Sequence, residues 1–165
     1  MSTDDDWERY PIPPIGLAIE RYVPWPAALA ELTSGANFYQ RIPDTEGLVF
    51  LRYGAQETPE TYLNSLVDAV RMYEIVDDRT VEFLGDRARR LTITQHRSEM
   101  GVYRSEQSGD PPTHTTLPRM TTLIEITAFT AHGLPVLVGF RIDVDRMPEH
   151  RSVIDRIVAS VSLLA

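Results

Sequence analysis

The sequence of 165 residues contains neither cysteine nor lysine. Without cysteine the chain has no disulfide, no thiolate nucleophile and no cysteine-based zinc site. All 16 basic residues are arginines, a bias that a GC-rich genome explains most simply. No run of about 18 apolar residues occurs, so we expect no transmembrane helix. The acidic N-terminus lacks the apolar stretch of a signal peptide, and we therefore expect a cytoplasmic protein with no membrane partner.

Basic charge is also scarce relative to acidic charge. The 24 acidic residues give a net charge of −8, which argues against nucleic acid as a partner because phosphate binding needs a basic face. The one local basic run contains Arg87, Arg89 and Arg90. A solvated strand edge is the simpler interpretation of this run, and a small site for phosphate or for an acidic partner is the alternative.

The chain length indicates a single domain. Residues 1–14 are acidic and then proline-rich, which predicts a flexible N-terminal arm, and residues 15–165 then form the domain. A segment at residues 107–119 with three prolines is the one loop-like run inside that domain.

Two amphipathic helices are predicted. Residues 59–73 follow a capping Thr58 and carry an apolar stripe at helical spacing, and residues 149–163 carry a second stripe that includes Ile157. Between residues 27 and 35 we expect a short helix or turn, and at Asp77 and Asp78 a turn.

Alternating apolar residues predict the strands. They lie near residues 16–25, 47–54, 81–84, 88–94, 120–131 and 134–145. One helix in mid-chain and one at the end, combined with an antiparallel run of strands, predict an α+β fold with a mostly antiparallel sheet and two main helices packed on it.

The last hairpin turns near His132 and Gly133. A plain two-residue turn would place Phe129 opposite Val136 and bring Glu125 onto the core side, which is costly for an unpaired carboxylate. We therefore expect a three- or five-residue loop or a bulge, with Gly133 at positive φ. That register leaves an outward apolar strip, which we predict as a contact surface for a partner or a second subunit: Leu123, Phe129 and Leu137.

Three segments carry a resemblance to a known family: "TPETYLNSLVDAVRMY", "VEFLGDRARRLTITQ" with its Gly85, and the terminal "DRIVASVSL" with Ser160 and Ser162. In this order they resemble the PsbP-like α/β superfamily over about residues 15–165. That superfamily includes the photosystem II subunit P, a Ran-binding import factor, the DcrB-like proteins and the Eag-type secretion chaperones. The resemblance implies a PsbP-like α/β sandwich and non-enzymatic work as a binding protein, adaptor or chaperone.

A search for chemistry leads to the same expectation. No nucleophile motif, phosphate-binding glycine loop or close histidine spacing is present, and the histidines are separated by 18 residues each: His96, His114, His132 and His150. We therefore expect no catalytic residue, no metal site and no cofactor.

Aromatic residues are concentrated in the first 25 positions. Trp7, Tyr10 and Trp25 either pack on their own domain or dock on a partner, and the second interpretation makes them candidate protein contacts. The leading hypothesis is a cytoplasmic adaptor or secretion-type chaperone that holds another protein through its sheet face or N-terminal arm, with a homodimer left open. The alternative is a small ligand-binding or enzymatic domain with a pocket between sheet and helix.

Overall fold

A computed structural model describes residues 4–32, 35–54, 58–68, 73–97, 100–104, 113–117 and 119–164. Within these residues the chain forms twelve strands and two α-helices, with three short 3-10 turns. In chain order they are β1 (Trp7–Ile12), β2 (Leu17–Tyr22), β3 (Ala27–Leu32), β4 (Gly35–Arg41), β5 (Leu48–Gly54), α1 (Pro59–Asp68), β6 (Tyr73–Phe83), β7 (Asp86–Arg97), β8 (Met100–Arg104), β9 (Thr113–Leu117), β10 (Met120–Ala131), β11 (Leu134–Asp143), α2 (Met147–Ala159) and β12 (Ser162–Leu163).

A seven-stranded sheet in the order β3-β4-β5-β11-β10-β7-β6 forms the centre of the fold, and all its neighbouring strands are antiparallel. A three-stranded sheet, β1-β2-β12, and a hairpin, β8-β9, accompany it. This is the predicted α+β class, a mostly antiparallel sheet with two helices packed on it. No helix in the described ranges is long and apolar enough to cross a membrane.

Both faces of the central sheet are covered, and this creates two apolar clusters. On one face α2 and the small sheet bury the larger cluster, which includes Phe38, Leu51 and Val138. On the other face α1 buries a smaller cluster, which includes Leu63, Ile126 and Leu137. Strands covered on both sides are apolar on both faces, which explains the continuous apolar run in β11.

The first helix begins where the sequence predicted and ends earlier. The hydroxyl of Thr58 accepts a hydrogen bond from the backbone N–H of Thr61 at 3.1 Å, so the predicted cap is present. The helix ends at Asp68, and Tyr73, predicted as its last residue, begins β6. Residues 69–72 lie outside the described residues.

The second helix is displaced by a few residues from the prediction. It begins at Met147 and ends at Ala159, where Ser160 donates to the carbonyl of Ile157 at 2.6 Å and accepts from the N–H of Glu20 at 2.7 Å. Ser162 and Leu163, predicted as helical, instead pair with β2 as the third strand of the small sheet.

Three further expectations are corrected. The segment predicted as a flexible arm contains β1, which pairs with β2 along its whole length, and Ile12 is buried in the larger cluster. Residues 27–32 form an edge strand rather than a helix or turn. Asp77 and Asp78 lie within β6 rather than in a turn, since β6 continues to a tight turn at Leu84 and Gly85.

The β10–β11 hairpin has the register that the sequence argument rejected. His132 and Gly133 form a two-residue turn, both at positive φ, and Phe129 lies opposite Val136. The argument failed because it assumed one wet face, whereas α1 covers the second face. The carboxylate of Glu125 remains half-exposed and lies 3.8 Å from Arg90 and 3.4 Å from the hydroxyl of Thr92, so its charge is not buried alone.

Candidate functional site

The apolar strip predicted as a contact surface does not exist. Leu137 is fully buried beneath α1, and Phe129 is buried in the larger cluster on the opposite face of the sheet. Leu123 is half-buried against that larger cluster. Because these three side chains belong to the core, they cannot form a shared docking surface.

The N-terminal aromatic residues pack against their own domain. Trp25 is buried, and the ring of Tyr22 lies between it and Trp7, with centroid distances of 5.4 Å and 5.1 Å. Tyr10 stacks on Phe38 at 4.9 Å. Trp7 and Tyr10 keep partly exposed surface, and their role as contacts for a partner stays a prediction.

The histidines are dispersed over the fold. His96 hydrogen-bonds the hydroxyl of Thr121 at 3.0 Å, His132 contacts the carbonyl of Gly16, and His150 packs edge-on against Trp25. The side chain of His114 lies outside the described residues. Within the described ranges no group of three or more His, Asp or Glu side chains could hold a metal ion.

Two of the three arginines in the β7 run are paired with carboxylates of neighbouring strands. Arg89 forms a two-point ion pair with Asp78 of β6, at 3.0 and 2.8 Å. This pairing holds the pKa of the Asp78 carboxyl below its ordinary value, mainly through the hydrogen bonds from Arg89. Arg90 lies 3.8 Å from the carboxylate of Glu125 and donates to the hydroxyl of Thr127 at 3.0 Å. Arg87 is exposed, and the expectation that nucleic acid is not a partner stays a prediction.

A cavity of about 360 Å³ lies between α1 and the sheet. Its floor consists of apolar side chains of three strands, β5, β7 and β10, and its helical wall consists of Leu66 and Val67. Arg41, Arg52 and Arg141 also line it. The full floor set is Leu48, Phe50, Ile93, Ile124 and Ile126. A cavity of this size and composition falls within the range of small-molecule sites.

Among the residues that the structure describes, the charged part of the cavity lining is entirely positive, since no carboxylate and no histidine contribute to it. Arg52 also influences α1, because its charge partly offsets the rise in the pKa of the Tyr62 hydroxyl that burial causes.

The β6 edge of the central sheet is the second notable surface. We use "the β6 edge" for the outer side of residues Tyr73–Phe83, with which no further strand pairs in the described part of the chain. Ile75 and Val76 are 58% and 60% exposed there, beside a bulge in the pairing with β7. Acidic residues flank them: Glu74, Asp77 and Asp78.

Comparisons with known proteins agree with this architecture. No protein-family model matches the chain, and no curated protein matches its sequence. The solution structure of cyanobacterial PsbP (CyanoP) from Synechocystis sp. PCC 6803 superposes with a TM-score of 0.51 at 13% identity, covering 96% of this chain and 92% of that one. The chain has a PsbP-like fold. The predicted resemblance is therefore confirmed for the fold.

A second similar structure is LpqN of Mycobacterium tuberculosis, which is involved in cell envelope biogenesis in that organism. It has a TM-score of 0.39 and 12% identity, and the match covers 100% of this chain and 82% of LpqN.

Sequence reasoning missed both surfaces. The exposed pair Ile75 and Val76 was hidden because Asp77 and Asp78 were interpreted as a turn. For the cavity a signal existed, since Arg52 and Arg141 interrupt otherwise apolar strand faces. Their convergence with Arg41 depends on strand order, which the sequence pattern does not reveal.

Proposed function

We propose that this protein is a non-enzymatic binding protein, an adaptor or chaperone that holds an extended segment of another protein at the β6 edge. The observation that carries the proposal is the adjacent exposed pair Ile75 and Val76 on an edge strand of eleven residues. Unpaired backbone groups of an edge strand can accept an added strand, and the side chains beside them determine which segment fits.

Charge at this edge defines the partner. Glu74, Asp77 and Asp78 surround the aliphatic pair, and two of these carboxylates are already paired, Asp77 with Arg79 and Asp78 with Arg89. The side chain of Glu74 is 76% exposed and has no arginine partner among the described residues, so we expect the partner segment to carry aliphatic residues with a lysine or arginine beside Glu74. The bulge at Val76 interrupts regular pairing, which disfavours association with arbitrary strands.

The test compares two matched substitutions of exposed valines. Val76→Asp changes the β6 edge, and Val23→Asp changes the turn after β2, where Val23 is 44% exposed. Proteins that co-purify from the native host are quantified for wild type and both variants. We expect at least one protein to be lost with Val76→Asp and retained with Val23→Asp.

A peptide from that protein then provides the decisive measurement. Binding of the peptide should slow hydrogen exchange of the β6 backbone amides, since an added strand hydrogen-bonds them. Equal losses from both variants, or protection confined to other strands, would contradict the proposal.

A further inference from the structure

The cavity between α1 and the sheet has a defined charge geometry. Arg41 of β4 and Arg141 of β11 each lie directly opposite Leu48 of β5, one on either side. Directly opposed residues project from the same face of a sheet, so both side chains rise beside the cavity floor. Their Cα atoms are two strand spacings apart, about 10 Å.

These two arginines differ from most others in the structure. Within the described residues neither side chain makes an ion pair or a hydrogen bond. Seven of the twelve other arginines whose side chains the structure describes are paired with carboxylates: Arg79, Arg89, Arg90, Arg97, Arg146, Arg151 and Arg156. In a chain with 24 acidic residues, two neighbouring arginines left without a carboxylate are well placed for an external anion.

The rest of the cavity is lined mainly by apolar side chains, which fit an apolar part of a ligand. From Leu48 the floor continues over Phe50, Ile124 and Ile126, and Leu66 and Val67 form the wall above it. A hydrophilic anion would leave this apolar surface in contact with water, whereas a purely aliphatic ligand would make no use of the two exposed guanidinium groups.

We propose that this cavity binds a small amphiphilic carboxylate, with the carboxylate between Arg41 and Arg141 and the aliphatic body along Phe50, Ile124 and Ile126. A guanidinium group presents paired N–H donors that match the two oxygens of a carboxylate, which favours this anion over a single point acceptor. The site goes beyond protein binding at the β6 edge and does not depend on it.

The test uses three ten-carbon probes that differ in the head group: decanoate, decanol and decyltrimethylammonium. Calorimetric titration below the micelle concentration should show one saturable decanoate site per chain. Decanol should bind at least about tenfold more weakly, since hydrogen bonds to charged groups contribute about this factor or more. Decyltrimethylammonium should not bind. Equal binding of decanoate and decanol, or no saturable decanoate binding, overturns the proposal.

Substitutions of the two arginines test whether decanoate binds in this cavity. The double change Arg41→Gln and Arg141→Gln should weaken decanoate binding at least about tenfold and leave decanol binding unchanged. The control, Arg87→Gln with Arg151→Gln, alters net charge equally at exposed positions outside the cavity lining. An equal loss in the control would mean that general electrostatics, rather than this site, attracts the anion.

A third variant tests the aliphatic part. Leu66→Trp enlarges a half-buried side chain on the cavity wall and should weaken both decanoate and decanol. Circular dichroism and urea unfolding verify that each variant is folded. Decanoate binding that survives Leu66→Trp unchanged places the ligand elsewhere and overturns the proposal.

Discussion

The imidazole Nε2 of His132 lies 2.9 Å from the carbonyl oxygen of Gly16, so the turn of the β10–β11 hairpin contacts the turn that precedes β2. The carbonyl can only accept, and His132 therefore donates. Gly16 has φ +66, and a Cβ added there would lie 2.5 Å from Cδ2 of His132. This contact joins the small sheet to the central sheet, and only glycine permits it.

The contact leads to a prediction with an internal control. Gly133 also has positive φ, but a Cβ there would meet no atom within 4 Å. Gly133→Ala should lower the free energy of unfolding by about 1–2 kcal/mol, the cost of a left-handed conformation. Gly16→Ala should cost more because of the collision with His132. Urea unfolding should show that this excess disappears when His132→Ala is added; an excess that persists would mean that the ring is not its cause.

Burial of Leu137 determines the effect of a charged substitution in the last hairpin. Leu137→Asp should prevent folding, since an unpaired carboxylate beneath α1 has no compensating partner. Leu163→Asp is the control because Leu163 is 49% exposed in β12. Circular dichroism and gel filtration decide: a folded Leu137→Asp protein would mean that α1 does not cover this part of the sheet.

The outcome in this hairpin shows what the sequence could and could not provide. Alternation placed β10 and β11 correctly and predicted Gly133 at positive φ. Assigning the faces also required knowing that a helix lies on each side of the sheet. A strand apolar on both faces signals such double coverage, and the sequence showed this for β5 and for residues 134–140 of β11. The prediction did not apply that rule to the hairpin.

The helices could be predicted from the sequence, whereas the first strand and the cavity could not. Apolar stripes and the Thr58 cap are local features, so the existence of α1 and α2 was predictable. The first strand was not, because proline-rich, acidic residues 4–14 fold only through pairing with β2. Arg41 and Arg141 lie 100 positions apart in the sequence. They lie on either side of Leu48 only because β4, β5 and β11 are neighbours in the sheet.

Truncation of helix side chains should reveal unequal contributions. Ile157 of α2 is fully buried, and Ile157→Ala should cost about 2–5 kcal/mol of unfolding free energy. Leu66 of α1 is only half-buried at the cavity wall, so Leu66→Ala should cost less. Urea unfolding monitored by circular dichroism measures both values. A larger loss for Leu66 would indicate that the cavity is closed in solution.

The ion pair between Asp78 and Arg89 predicts a pH effect. Arg89 lowers the pKa of the Asp78 carboxyl in the folded protein, so the pair contributes stability above the unfolded pKa of about 3.9. This contribution is lost as the pH falls through the lowered value. NMR titration of the carboxyl carbon should give a pKa below the ordinary range, and Arg89→Gln should raise it. An unchanged pKa in that variant would show that the pair is absent in solution; the stability effect stays below about 1 kcal/mol because the pair is exposed.

The side chain of Gln40 makes the most demanding prediction about the core. Although fully buried, its amide accepts from the N–H of Tyr22 at 2.9 Å and donates to the carbonyls of Tyr22 and Trp25 at 2.9 and 3.1 Å. It thereby satisfies the backbone at the end of β2, where the chain passes from the small sheet to the central one. Gln40→Met keeps a side chain of similar length but leaves these backbone groups without their partner, at about 1–3 kcal/mol for each group left unsatisfied.

Gln40→Glu tests the same hydrogen bonds to the backbone through their pH dependence. The new carboxylate would face two carbonyl oxygens in a buried position, so its pKa in the folded protein should be raised above the unfolded value of about 4.3. A raised pKa means that the folded state binds the proton more tightly, and the stability of this variant should therefore fall as the pH rises above about 4.3. Urea unfolding at pH 4.5 and pH 7 should show a loss at the higher pH that the wild type and Gln40→Met lack. A Gln40→Glu protein as stable as wild type at pH 7 would show that water reaches this position. The hydrogen bonds of the Gln40 amide to the backbone would then not stabilise the fold.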